Sequence, residues 1–119
     1  MQYMLLIYHS ESNWDKLSDA ERGKIYADYI EFSKNITASG HYKGGNRLDF
    51  SSTATTVRVR DGKRQSTDGP FAETKEQLGG YYIVEAKDLD EAIALAARIP
   101  GARYGSIEVR PIPLMTAAA

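Results

Sequence analysis

Two stretches of this chain are apolar on both sides of an extended backbone. In residues 2–8, Tyr3, Leu5 and Ile7 fall on one side and Met4, Leu6 and Tyr8 on the other. Residues 80–86 repeat the pattern, with Tyr81 and Tyr82 pointing oppositely. A strand of that kind needs cover on both faces. Between the two stretches the period changes. Ile25, Tyr29, Phe32 and Ile36 recur at steps of three and four, the buried stripe of a helix, while Lys24, Asp28, Glu31 and Lys34 lie outward. Ser18 and Glu21 have the spacing of a capping box, which starts that helix, and Ser39-Gly40 stops it after Ala38.

Thr56-Val57-Arg58-Val59-Arg60 alternates strictly, and Asp61-Gly62 turns it into a hairpin whose return strand is 63–67. His41 to Gly45 reads as a connector, residues 46–50 as a short strand, and residues 51–55 as a polar loop. Trp14, in the loop after the first strand, is expected to plug an edge of the core. A second helix opens at Asp88-Leu89-Asp90-Glu91, whose acids suit the positive end of the helix dipole. Ala92, Ile93, Ala96, Ala97 and Ile99 form its expected inner face, and Pro100-Gly101 ends it. The last strand is 106–110, with Ile107 and Val109 inward.

The order β, α, hairpin region, β, α, β predicts an α+β fold: a ferredoxin-like βαββαβ-type antiparallel sheet with two helices on one face and an inserted β-ribbon. Two helices cover one face only. The apolar second face predicts a homodimer packed through the sheets. Residues 1–112 form a single domain, and residues 113–119, ending in three alanines, are expected to be a flexible tail.

Composition narrows the class. Hydrophobic content of 42% and charged content of 26% suit a soluble globular protein, and a net charge of -1 gives no bulk attraction for nucleic acid or an anionic membrane. The chain has no cysteine, which excludes disulfides and thiolate nucleophiles and fits a reducing compartment. The first apolar run follows no basic leader and is shorter than the ~20 residues of a membrane helix, so a cytoplasmic location is expected. No glycine-rich phosphate loop, Ser/His/Asp arrangement or zinc pattern occurs, and neither cofactor nor metal is expected.

The densest signal is residues 66–85. Asp68-Gly69-Pro70 is a forced turn: proline restricts the residue before it, and the aspartate side chain bonds its own backbone two residues on. Glu73, Thr74, Lys75 and Glu76 follow in a polar loop, and Gly79-Gly80 reads as a hinge before Tyr81. Asp68-Gly-Pro-Phe-Ala-Glu-Thr-Lys-Glu-Gln-Leu-Gly-Gly-Tyr-Tyr resembles the signature of the YCII-related proteins in their DGPF-domain branch. Residues 3–8, 56–62 and 108–111 are similar to family segments in family order, so the resemblance spans about residues 2–112. It implies a dimeric α/β barrel, the fold of muconolactone isomerase-type proteins. Relatives have been proposed to pair a histidine on the first helix with an aspartate across a pocket. Here that helix carries Tyr26 and Tyr29 and no histidine, so only Asp68 maps onto the proposed acidic position. The resemblance also implies a setting beside extracytoplasmic-function sigma factors.

Two functional readings follow. In the first, the chain is a cofactor-free small-molecule enzyme or ligand-binding protein, with Asp68 as catalytic carboxylate at the mouth of a pocket between the sheet and the 66–77 loop. His9 at the end of a strand, Glu73, Lys75, Tyr82 and Arg58 would bind the ligand. Each has a structural alternative: Asp68 caps its turn, His9 is a lone surface histidine, Glu73 and Lys75 are solvated, Tyr82 packs, and Arg58 solubilises a ribbon. In the second, the chain is a non-catalytic regulatory module that partners a sigma factor.

Overall fold

The computed structural model describes residues 1–115. In chain order its elements are β1 (Gln2–His9), α1 (Glu11–Asp15), α2 (Asp19–Ala38), β2 (Tyr42–Arg47), β3 (Thr55–Arg60), β4 (Lys63–Asp68), β5 (Gln77–Glu85), α3 (Leu89–Ala97) and β6 (Ser106–Ile112). The main sheet is antiparallel, in the order β2-β5-β1-β6, and β3-β4 form a separate two-stranded ribbon. This is the ferredoxin-like arrangement with a ribbon inserted before the third strand of the sheet.

One alternating set of β1 explains the layering. Tyr3, Leu5 and Ile7 are buried under the helices, and Leu5 has Tyr82 opposite it on one side and Val109 on the other. Val84 continues that face. Phe32 and Ile36 of α2, and Ala92, Leu95 and Ala96 of α3, close over it. The alanines let α3 approach closely. Among the described residues Leu5, Ile36, Ile99 and Val84 are the largest fully buried side chains, and no charged side chain is buried with them. The opposite face carries Met4, Leu6, Tyr8, Tyr81 and Ile83, all half-buried within the single chain.

The long helix starts where the capping box places it. Ser18 Oγ accepts from the Glu21 N–H at 3.1 Å, and Glu21 Oε1 accepts from the Ser18 N–H at 2.9 Å. These bonds hold the Glu21 carboxyl below its ordinary range, the Ser18 backbone contributing most. Ser18→Ala is expected to cost about 1 kcal/mol. Urea denaturation checks this, and an unchanged midpoint would mean the cap carries no stability.

Several expectations are corrected. Residues 42–45 are not a connector: Tyr42 to Arg47 is the edge strand, and residues 48–50 fall outside it. Glycines permit this pairing, because a Cβ at Gly45 would meet the Tyr81 carbonyl oxygen at 2.9 Å. Gly79-Gly80 is not a hinge but part of β5, with Gly79 the extra residue of a bulge between the Ile7/Gly80 and Tyr8/Leu78 pairs. Trp14 lies in a short helix, α1, not in a loop. On α3 the inner face is 92, 95, 96 and 99; Ile93 is 49% exposed and Ala97 is also exposed, because Leu95 holds the inward position at helical spacing.

The ribbon turns through Asp61 and Gly62, both at positive φ (52° and 73°). All six residues of β4 are exposed. Its base is fastened by the Gly69 N–H to the Ala54 carbonyl at 2.7 Å and by Thr56 Oγ1 to the Gly69 carbonyl at 2.8 Å. The Cα radius of gyration is 16.6 Å, against about 13.5 Å for a compact domain of this length. Among the described residues no helix is long and apolar enough to cross a membrane. Residues 113–115 have no regular structure, and the rest of the expected tail, 116–119, lies outside the described residues.

Candidate functional site

The bulge at Gly79 shapes the site. It lies beside the end of β1, where His9 continues the helix-facing set of Tyr3, Leu5 and Ile7 beyond the core. The imidazole occupies the space a side chain at residue 79 would take: a Cβ there would stand 2.5 Å from His9 Nε2. Glycine is therefore required for the ring to lie where it does.

From His9 a cleft of about 1240 Å³ opens between α2 and the β2–β5 edge of the sheet. The helix α2 supplies Tyr26, Tyr29 and Ser33, β5 supplies Tyr82, β2 supplies Arg47, and α1 supplies Trp14. A wall of rings runs along one side. His9 and Trp14 meet edge to face at 6.1 Å between centroids, and Trp14 and Tyr26 do so at 5.5 Å. Trp14 is held by its backbone, since the Arg22 guanidinium donates to the Trp14 and Asp15 carbonyl oxygens at 2.8–3.2 Å. The α1 helix is further anchored by its Glu11 carboxylate, which accepts from the Ser51 N–H at 2.7 Å and the Ser51 hydroxyl at 2.6 Å.

The floor is phenolic. The Tyr82 hydroxyl lies 2.8 Å from Ser33 Oγ, and Tyr104 lines the same end of the cleft as Tyr29. Burial raises the pKa of Tyr29, Tyr82 and Tyr104; for Tyr29 the neighbouring Tyr104 adds to the rise, and for Tyr82 the Ser33 hydrogen bond partly opposes it. All three hydroxyls are therefore neutral donors at physiological pH. Folding holds these protons more tightly than the unfolded chain does, so the stability linked to them is complete below about pH 10, the ordinary tyrosine value, and is lost as pH rises above it. Thermal melts from pH 8 to 11.5 are expected to show that decline, and Tyr29→Phe to flatten it. An equally steep decline in Tyr29→Phe would remove Tyr29 from this account.

Of the residues singled out in the sequence, the structure brings His9 and Tyr82 into the cleft. The Tyr82 hydroxyl faces the helix layer, whereas Tyr81 lies on the opposite face, where its hydroxyl accepts from Asn46 Nδ2 at 3.0 Å. Asp68 and Arg58 stand exposed on the ribbon, and Glu73 and Lys75 stand exposed in the 69–76 loop; none of the four lines the cleft. Trp14, Tyr26, Arg47, Asp49 and Tyr104 line it without having been singled out as site residues. One signal for them was the mixed surface of the long helix, where Tyr26, Tyr29 and Ser33 share one flank. Among the described residues no cluster of three or more histidines and carboxylates could hold a metal ion.

Comparison with known proteins agrees with this architecture. Over 116 residues the chain is 36% identical to an uncharacterised protein of Rhizobium meliloti (strain 1021), covering 96% of this chain and 94% of that one. Its fold is similar to that of 5-chloro-2-hydroxyhydroquinone dehydrochlorinase from Burkholderia phenoliruptrix AC1100, solved in complex with 2,5-dihydroxybenzoquinone. That likeness has a TM-score of 0.56 at 15% identity and covers 95% of this chain and 94% of the other, so it is one of fold. The YCII-related domain profile matches residues 1–116, and the chain belongs to the YCII-related family.

Proposed function

We propose that this protein is a small-molecule enzyme that performs acid–base chemistry on a ring compound in the cleft, with His9 moving the proton. The observation that carries the reading is the His9 imidazole seated on Gly79 at the head of a cleft lined mainly by aromatic and apolar groups. Histidine is the side chain suited to take and return a proton near neutrality. The fold shared with a dehydrochlorinase that acts on a hydroxylated ring supports the choice of substrate type. The Asp68-centred version of the reading rests on the family resemblance, and its carboxylate is exposed on the ribbon. The sigma-factor alternative draws no support from the curated relative or the structural neighbour.

The test is turnover of hydroxyquinones and enol lactones, followed by absorbance and by loss of ring-proton signals in D2O. Wild type is expected to process members of this set. His9→Gln is expected to bind them and leave them unchanged. Undiminished turnover by His9→Gln, or no turnover of any member by wild type, would overturn the reading.

The same proposal includes a homodimer through the half-buried face of Met4, Leu6, Tyr8, Tyr81 and Ile83. Leu6→Asp is expected to give a folded monomer near 13.2 kDa by light scattering, where wild type gives twice that mass. A wild-type monomer at micromolar concentration would end the dimer.

A further inference from the structure

Resting on the reading of the cleft as the binding site, we infer that its ligand is an anionic planar ring whose charged oxygen substituent is held by Arg47. Three observations carry this. First, the cleft is lined by two cations, Arg47 and Lys34, against one carboxylate, Asp49. Neither cation has a carboxylate within ion-pair distance among the described residues. Asp49 is engaged locally, accepting from the Phe50 N–H at 2.8 Å.

Second, Arg47 is held in place without being neutralised. Its Nη1 donates to the Tyr26 hydroxyl at 2.9 Å, and its guanidinium lies 5.5 Å from the centre of the Tyr26 ring. Among the described residues the remaining donors of the fork have no hydrogen-bond partner, and the fork geometry matches a carboxylate or enolate oxygen pair. Lys34, three-quarters of the way along α2, adds a second, less directional cation.

Third, the wall beside Arg47 is aromatic, its rings meeting edge to face. Guanidinium, Tyr26 phenol, Trp14 indole and His9 imidazole follow one another along the cleft. A planar ring packed against the face or edge of one of these rings, with its anionic group at Arg47, places its body between the charge anchor and the imidazole. The neutral tyrosine hydroxyls of the floor offer O–H donors to further ring oxygens. Arg47 is thus a binding residue that fixes which end of the ligand meets His9.

Trp14 is the chain's only tryptophan and lines the cleft, so its fluorescence reports occupancy directly. The probes are benzoate and its neutral counterpart benzamide, titrated into the full chain with excitation at the red edge of tryptophan absorption. Benzoate is expected to bind at least about tenfold more tightly than benzamide, the effect of one charge-assisted hydrogen bond. Arg47→Met is expected to erase that preference, and Arg47→Lys to restore part of it. Added salt is expected to weaken benzoate and leave benzamide unchanged. Melting curves of each variant show whether the fold persists, and Lys34→Met, on an exposed stretch of helix, gives a smaller loss of the same preference.

Equal affinity for the two probes, absence of any Trp14 response to benzoate, or a preference that survives Arg47→Met overturns the inference. Arg47-dependent benzoate binding in a protein that turns over none of the hydroxyquinones or enol lactones would uphold the anion site while ending the enzymatic reading. Turnover that is indifferent to Arg47→Met would do the reverse.

Discussion

Gly105→Ala is expected to lower the stability of the fold by about 3 kcal/mol, the upper part of the range for forcing atoms into a packed site. Gly105 precedes β6 at the point where that strand begins to pair with the end of β1, and its N–H donates to the Gly101 carbonyl at 2.8 Å. A Cβ there would run into the Tyr8 carbonyl oxygen and stand 3.3 Å from both the His9 Cα and the Gly101 carbonyl oxygen. All three obstacles are backbone, so no side-chain rotation relieves them. Either the first Tyr8/Ser106 pair of the ladder opens or the chain between α3 and β6 shifts. The measurement is the denaturant midpoint at unchanged slope. A midpoint equal to wild type would show that this corner relaxes freely and is not the rigid joint inferred here.

Gly79→Ala meets the opposite kind of obstacle. Its Cβ would fall 2.5 Å from His9 Nε2 and 2.6 Å from Cδ2, atoms at the end of a side chain that can swing away. Stability is therefore expected to change by no more than about 1 kcal/mol, while the imidazole leaves its seat. If His9 moves the proton, turnover of the ring substrates falls by roughly a hundredfold or more, the usual contribution of a positioned acid–base group. With only two histidines in the chain, the His9 ring signals can be assigned in a proton–carbon NMR spectrum by comparison with His9→Gln. The expected result is a shifted His9 resonance, a nearly unchanged melting midpoint and lost turnover. Full turnover with a shifted imidazole would separate the ring's position from the chemistry and remove His9 from the mechanism.

These two glycines show why the fold was more legible than the site. The two-faced strands, the Ser18/Glu21 cap and the Asp61-Gly62 turn each rest on neighbours in sequence, and local chemistry is enough to read them. The edge strand at Tyr42–Arg47 was hidden because its glycines are there to admit the Tyr81 and Tyr82 backbone, a reason that lies some forty residues away. Gly79 looked like a hinge for the same reason: its partner is an imidazole seventy positions earlier. Ile93 looked inward because it is apolar, although Leu95 fits the spacing set by Ala92, Ala96 and Ile99. For the site, residues 68–76 form one dense run in the sequence, whereas the cleft collects its residues from seven elements or connecting segments. His9 was legible because it ends a strand pattern, and Tyr82 because it and Tyr81 point to opposite faces of one. Arg47 and Trp14 carry no such mark.

The ribbon has a kinetic consequence. Among the described residues its strands pair only with each other, in a sheet of two, and such a hairpin is marginally stable without further packing. Val57 and Val59 are 58% and 62% exposed, so little apolar burial opposes its opening. The ladder amides of residues 55–68 should therefore exchange with deuterium through a local opening of small free energy, while those of β1 and β5 wait for global unfolding. Two exchange regimes are then expected within one polypeptide. Any surface that settles on the valine face should slow the fast set selectively, which makes the ribbon amides a built-in sensor of contacts made there.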